Sequence, residues 1–420
     1  MPVLSPATAA LEDLLSPEGW VHASAEPVEE GDPGRFHALF GRDSLITALQ
    51  VLPHRSDVAV ATLRALASRQ GRVHDPETEE EPGRILHEDR PVAPAWLVRR
   101  GWPVRDGALR YFGSSDATSW FLVLADRVLN GLDGLDGLDG EGGLAGFAGF
   151  AGELGPAVAA AADWLEGALD AGGGLVRCGP RRFPGGLGQQ GWRDALDPGS
   201  DPQGGGIVRP DGSTPAAPLA DADSQAVAVA ALDALVRLDP DRAQHWRAVA
   251  ARLRGRVGAA YGPEVVALET GGTGDVVVPG AGSQLGWLLW ADALGPAATT
   301  AVADRLCRPD VLTDLGARTL ASTHPAFLAH GYHRGAVWPF DCWLVWGGLR
   351  AAGREEEAER LRSGVRRALE ELGRFPELYA VSPSGRLEAV PVANRVQAWT
   401  VGAVIAFDHD WDGRPGHRGR

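Results

Sequence analysis

Apolar positions in this chain recur three and four residues apart, and the runs with that spacing are of two alternating kinds. Some are apolar on nearly every side, such as S-Q-L-G-W-L-L-W-A-D-A-L-G at 282–294. Others carry one apolar stripe on a charged background, such as R-E-E-E-A-E-R-L-R-S-G-V-R-R-A-L-E-E-L at 354–372. A helix that is apolar all round must be buried, whereas a striped one can face water. The spacing predicts helices from Ala7 to Leu15, from Ser56 to Gln70 and from Asp116 to Leu129. Phe40-Gly41-Arg42-Asp43-Ser44 opens another, with Asp43 or Ser44 placed to cap it. Further helices are predicted at 156–170, 221–238, 241–259, 282–294, 296–307, 336–352, 354–372 and 395–408, separated by Gly-, Pro- and Asp-rich connections. Strand-like alternation is scarce, with Asp275 to Val278 the best short stretch, and Ile85-Leu86-His87-Glu88 fits neither period.

Successive helices come in pairs, one short connection and then one long one, and buried helices alternate with amphipathic ones. Eleven or twelve helices arranged this way close naturally as six pairs. The expected fold is therefore all-α, a single-domain (α/α)6 barrel or toroid with its long loops gathered at one end. An open α-solenoid would show a repeating sequence period, and none is visible. Residues 1–35 read as an N-terminal segment, 36–410 as the barrel and 411–420 as a tail. Gly131 to Glu153, GLDGLDGLDGEGGLAGFAGFAGE, reads as a flexible insertion between helices.

Composition narrows the function classes. The 420 residues are 44% hydrophobic and 23% charged, the balance of a globular protein. A net charge of −15, with arginine the sole basic residue besides histidine, argues against a nucleic-acid partner. The N-terminus has no basic leader, and no apolar run reaches the roughly 18 residues that a membrane span needs. The expectation is a cytoplasmic protein without a membrane partner. Cys178, Cys307 and Cys342 lie far apart, so neither a disulfide framework nor a metal site is expected, and no cofactor is implied. The acidic run Asp75 to Gly83 reads as a solvated surface loop.

Candidate chemistry collects in the long loops. Y-H-R-G-A-V-W-P-F-D, Tyr332 to Asp341, packs aromatics, His333, Arg334 and Asp341 into ten residues, with Pro339 suited to the first turn of a helix. Tyr332 and Trp338 offer flat faces with one polar tip each, and Arg334 a planar fork of donors. That inventory suits a sugar ring. Q-Q-G-W-R-D-A-L-D, Gln189 to Asp197, sets Asp194 and Asp197 beside Trp192, on one side of the chain if the segment is a helical turn. A carboxylic acid against an indole is desolvated and becomes a proton donor near neutrality. Far downstream Glu377 stands between Phe375 and Tyr379, and Gln397 and Trp399 open the last helix. Glycosidic hydrolysis needs one carboxylic acid and one carboxylate on opposite sides of the bond. A terpene cyclase would need clustered Asp-rich metal motifs, and D-A-D-S-Q at 221–225 is a poor match.

FGRDSL (40–45), EEEPGRILHE (79–88), QGWRDALD (190–197), YHRGAVWPFD (332–341), PELY (376–379) and ANRVQAW (393–399) occur in this order in a known family. Over residues 36 to 408 the chain resembles the amylo-α-1,6-glucosidase, or glycogen-debranching, family, which is similar to glucoamylase-type (α/α)6 glycoside hydrolases. The resemblance implies an inverting hydrolase of α-glucosidic bonds acting on a carbohydrate substrate, with Asp194 as general acid and Glu377 as general base. It implies that Arg42 and Asp43 hold sugar hydroxyls, with His87, Glu88, His333, Arg334 and Trp338 lining the pocket. Trp192, Tyr332, Asp341, Gln397 and Trp399 complete the substrate-binding candidates. The family's usual W-x-D-S-G-D reads W-R-D-A-L-D here, with Leu196 in place of glycine, and Asp197 becomes the acid in the register of related families. The alternatives are an α-1,4-glucosidase, a small-glycoside hydrolase of the same clan, or a sugar-binding protein that has lost turnover.

Overall fold

A computed structural model of the chain describes residues 5–25, 36–130, 143–183, 185–194, 206–272 and 274–414. Its helices in chain order are α1 (Pro6–Glu12), α2 (Gly41–Val51), α3 (Ser56–Ser68), α4 (Ala95–Arg99), α5 (Ala117–Asn130), α6 (Gly143–Ala171) and α7 (Ala222–Leu238). They continue as α8 (Ala243–Ala260), α9 (Gln284–Trp290), α10 (Pro296–Leu306), α11 (Pro339–Ala351), α12 (Glu355–Leu372) and α13 (Ala398–Asp408). In the ring α2, α5, α7, α9, α11, α13 each helix packs on the next, and α13 returns to α2. Outside them lie α3, α6, α8, α10 and α12, each against the inner helix before it in the chain, with α1 outside α13. This is a closed toroid of paired helices, as the alternation of sequence types predicts.

The two helix types occupy the two layers for the expected reason. Every residue of α2 is buried, as are nearly all of α9 and α11, because an inner helix touches neighbours on all sides. In α12 the buried positions Ala358, Leu361, Val365, Ala368 and Leu369 form one stripe, and its Glu and Arg residues face outward. The inner helices α9 and α11 meet backbone to backbone. A Cβ on Gly286 would lie 2.6 Å from Val345 Cα, and one on Gly348 would lie 2.2 Å from the Gly286 carbonyl oxygen. Gly286→Ala should therefore destabilise the fold by about 1–3 kcal/mol through overpacking. Urea unfolding checks this, and an unchanged midpoint would mean that the ring opens freely at that seam.

The expectation of an all-α chain is corrected by short antiparallel sheets, the largest of three strands among the described residues. One joins Leu39–Phe40, Glu88–Arg90 and Leu109–Tyr111, and another joins Leu219–Asp221, Val265–Gly271 and Gly274–Pro279. Two hairpins, Leu312–Thr313 with Gly316–Ala317 and Tyr379–Val381 with Leu387–Ala389, complete the set. Long loops crowded at one end of a barrel bury backbone N–H and C=O groups, and pairing strands satisfies them. The unplaced Ile85–Glu88 stretch runs into the centre of the first sheet.

Three further expectations change. The helix at Phe40 begins at Gly41 with no side-chain cap, because Ser44 Oγ donates to the Val21 carbonyl at 2.6 Å and Asp43 turns elsewhere. Residues 143–153, expected within a flexible insertion, form the first turns of α6, where Phe150 and Leu154 are buried. Residues 131–142 lie outside the described residues. The expected N-terminal segment and tail also join the barrel: Leu11, Leu14 and Val21 enter the main core, and Trp411 Nε1 donates to the Leu49 carbonyl at 2.7 Å. Among the described residues no helix is long and apolar enough to cross a membrane.

Candidate active site

The beginnings of the inner helices meet at one end of the ring. There a pocket open to solvent is lined by Phe36, Phe40, Arg42, Asp43, His87, Trp192, Asp194, Tyr332, Trp338, Glu377, Gln397 and Trp399. Arg42 and Asp43 come from the first turn of α2, while Trp338 and Gln397 immediately precede α11 and α13. Gly41 sets the entry of α2: its N–H donates to the His87 carbonyl at 2.9 Å, and a Cβ there would lie 2.1 Å from the Leu86 carbonyl oxygen. The close approach seats Arg42 and Asp43 against His87.

Asp194 and Glu377 enter this pocket in different surroundings. Asp194 Oδ2 accepts Arg42 Nη1 at 2.8 Å, and its side chain keeps about 20% exposure. Burial pushes its carboxyl up to about 6, against the opposing pull of Arg42. That is the environment of a group that carries a proton in weakly acidic solution. Glu377, 2% exposed, accepts the Tyr332 hydroxyl on Oε1 and the Asn394 N–H on Oε2 at 3.2 Å. Donors aimed at both oxygens suit a carboxylate that accepts a proton.

Asp43 is a third acid, its Oδ1 accepting Gln397 Nε2 at 3.2 Å. Burial pushes its carboxyl up to about 8, and Asp194 and Glu377 add to that push while Arg42 opposes it. A carboxyl whose folded pKa lies above its unfolded value destabilises the fold as pH rises between the two. Asp43→Asn should therefore melt with the parent near pH 4, gain on it up to about pH 8 and keep a constant advantage above that. Thermal scans across that range measure the difference; a flat difference would mean that Asp43 ionises without cost.

Aromatic rings wall the pocket. Trp192 stands at 81° to Trp338 with centroids 5.6 Å apart, and Trp399 lies 5.8 Å from Trp338. Trp338 Nε1 donates to the Tyr332 carbonyl at 2.7 Å, which fixes the ring. Two acids in one aromatic pocket match the needs of glycosidic hydrolysis. A second cavity, at the other end of the ring, is lined by Arg127, Asp233, Trp290, Asp292 and Ala351 among others, and there Asp233 is held by Arg254.

The sequence profile of the mannosylglycerate hydrolase MGH1-like glycoside hydrolase domain matches residues 135–380. The chain belongs to this family. It is a glycoside hydrolase. Solved structures of similar fold include the GH63 mannosylglycerate hydrolase from Thermus thermophilus in complex with Tris, 16% identical, covering 96% of this chain and 99% of that one at a TM-score of 0.69. The same hydrolase in complex with glucose is 15% identical, with 96% and 98% covered and a TM-score of 0.65. A wild-type glycosidase, 15% identical, covers 97% of this chain and is itself 96% covered, at a TM-score of 0.53. No curated protein sequence matches the chain. The family shown is thus the MGH1-like one, within the six-hairpin glycosidases, and not specifically the amylo-α-1,6-glucosidases whose motifs the sequence resembles.

Within this MGH1-like hydrolase the candidate residues divide. Arg42, Asp43, His87, Trp192, Asp194, Tyr332, Trp338, Glu377, Gln397 and Trp399 converge on the pocket. Arg42 has less to offer a sugar than expected. Its Nε donates to Asp116, Nη1 to Asp194, and Nη2 to Ser114 and Gln190, which among the described residues leaves one of five N–H donors. Four candidates lie outside the pocket walls. Glu88 is buried against Arg90; His333 stacks behind Trp338 at 5.0 Å; Arg334 donates to the Ala326 carbonyl; Asp341 is fully buried and accepts Trp287 Nε1. Asp197 lies outside the described residues, and Asp194 sits in a loop instead of a helical turn. Phe36 and Phe40 in the pocket wall and Asp116 against Arg42 are site residues that were not among the candidates, although Phe40 opens the FGRDSL motif.

Proposed function

We propose that the protein is an inverting hydrolase of an α-linked hexoside with a small aglycone, Asp194 acting as general acid and Glu377 as general base. The observation that carries the reading is the pair itself: one acid buried so as to hold a proton, the other held by donors, both facing one aromatic pocket. In this reading Asp194 gives its proton to the glycosidic oxygen as the anomeric C–O bond breaks. Glu377 takes a proton from the water whose oxygen bonds to that carbon from the opposite side, so an α-glycoside yields a β-sugar. Asp43 and Gln397 hold hydroxyls of the hexose, the tryptophans cover its faces, and Arg42 orients Asp194. Membership of the MGH1-like family favours a small polar aglycone over a glucan chain.

The test is product release from mannosylglycerate, glucosylglycerate, maltose, isomaltose, panose and a branched dextrin, followed by NMR. The expected first product is the β-anomer of the sugar released from a small glycoside. Appearance of the α-anomer first would make the site retaining and would move Glu377 to the nucleophile. The ordered motifs favour a second reading, hydrolysis of α-1,6 branch points. Glucose from panose and the dextrin, with none of the small glycosides cleaved, would establish that reading instead.

A further inference from the structure

Between Trp192 and Asp194, both in the pocket, stands a residue that faces away from it. Arg193 is 3% exposed, and its guanidinium carbon lies 4.5 Å from the centre of the Trp192 ring. Nε donates to Asp223 Oδ2 at 2.9 Å, Nη1 to the Thr319 carbonyl at 2.9 Å and Nη2 to Ser283 Oγ at 3.0 Å. These partners come from three places: the first turn of α7, the residue before α9, and the chain between α10 and α11. The ring under the guanidinium is fixed as well. Trp192 lies parallel to Trp287 at 5.8 Å, and Trp287 Nε1 donates to Asp341 Oδ1 at 2.6 Å.

Stability alone is a poor reason for such a pair. Taking two charges out of water offsets most of their attraction, and apolar side chains of the same volume often serve as well. What a planar fork bound on three sides does supply is direction, which a point charge would not. Asp223 is fully buried, so no solvent competes for that fork. The main chain at residue 193 is thereby held to three elements of the barrel wall. Asp194 is the next residue and lies in a loop, where Arg42 donates to its Oδ2. A displacement of about 1 Å at such a group costs on the order of 10²-fold in rate.

We propose that Arg193 is a positioning residue for the general acid: clamped by Asp223, Ser283 and Thr319, it fixes where Asp194 stands without touching the substrate. The inference rests on Asp194 being the acid. Arg193→Lys keeps the charge opposite Asp223 but cannot hold three directions in one plane. Its kcat on an unactivated α-glycoside should fall by about 10- to 100-fold with KM little changed. Its rate on the matching α-glycosyl fluoride, whose departure needs little protonation, should fall by less than about threefold. The double variant Arg193→Met, Asp223→Leu removes both buried charges, leaves no orphaned carboxylate and should show the same selective loss. Equal losses on both substrates, or no loss, in folded variants overturn the proposal; so does failure of both variants to fold, which would make the contacts a requirement of the barrel alone. Asp194→Asn run alongside separates the two claims. If it too slows both substrates equally, the acid assignment has failed and not the clamp.

Discussion

Glu377→Gln should lower kcat on an unactivated α-glycoside by about 10³-fold, within the usual range for loss of a general base. Sugar binding, read by calorimetry, should be nearly unchanged. The amide keeps the shape of the side chain and still accepts the Tyr332 hydroxyl through its carbonyl oxygen. What it loses is the ability to take a proton from water. Because the barrier then lies in water activation alone, a better nucleophile should bypass it. Azide added to Glu377→Gln with an α-glycosyl fluoride should give the β-glycosyl azide, the C–F bond breaking as the C–N bond forms on the opposite face. A variant within about tenfold of the parent, less than any such base contributes, would remove Glu377 from the mechanism. Loss of sugar binding with the rate would instead make Glu377 a wall of the pocket.

The parts of this molecule that were legible in the sequence are those whose reason is local. The buried runs and the charged, striped runs differ in sequence, and they became the inner and outer layers; Pro339 starts α11 at the position where its missing N–H costs nothing. Strands of two or three residues carry no alternation and left no pattern to read, whereas the six-residue strand Gly274–Pro279 shows at Asp275 to Val278, the best strand-like stretch of the sequence. The same division holds in the site. Tyr332 and Trp338 face the pocket, but their neighbours His333 and Arg334 in the same motif do not. A motif marks the stretch that matters, and backbone direction decides which side chain enters. Phe36 and Phe40 were given no place in the pocket beforehand, because nothing in an apolar side chain announces a cavity beside it. The Arg193–Asp223 clamp joins a loop residue to the first turn of α7, and only the closure of the ring brings them together.

Asp194→Asn should separate substrates by their leaving groups. On an unactivated α-glycoside the rate should fall by about 10²–10⁴-fold, because the departing oxygen must receive a proton as the bond breaks. On the α-glycosyl fluoride the loss should be far smaller. The pH dependence gives an independent readout. Burial holds the Asp194 carboxyl near about 6, with Arg42 opposing the shift. The acid works while protonated, so kcat/KM on the glycoside should fall as pH rises through that value, and the limb should flatten on the fluoride. Removing the positive charge at Arg42 would raise the carboxyl further and move the limb to higher pH, since the guanidinium favours the ionised form. Asp197→Asn is the control and should lose much less. If Asp197→Asn is the variant that discriminates between leaving groups while Asp194→Asn keeps the parent's profile, the proton comes from the later carboxylate. Arg42 and Arg193 would then brace the approach to the acid and not the acid itself.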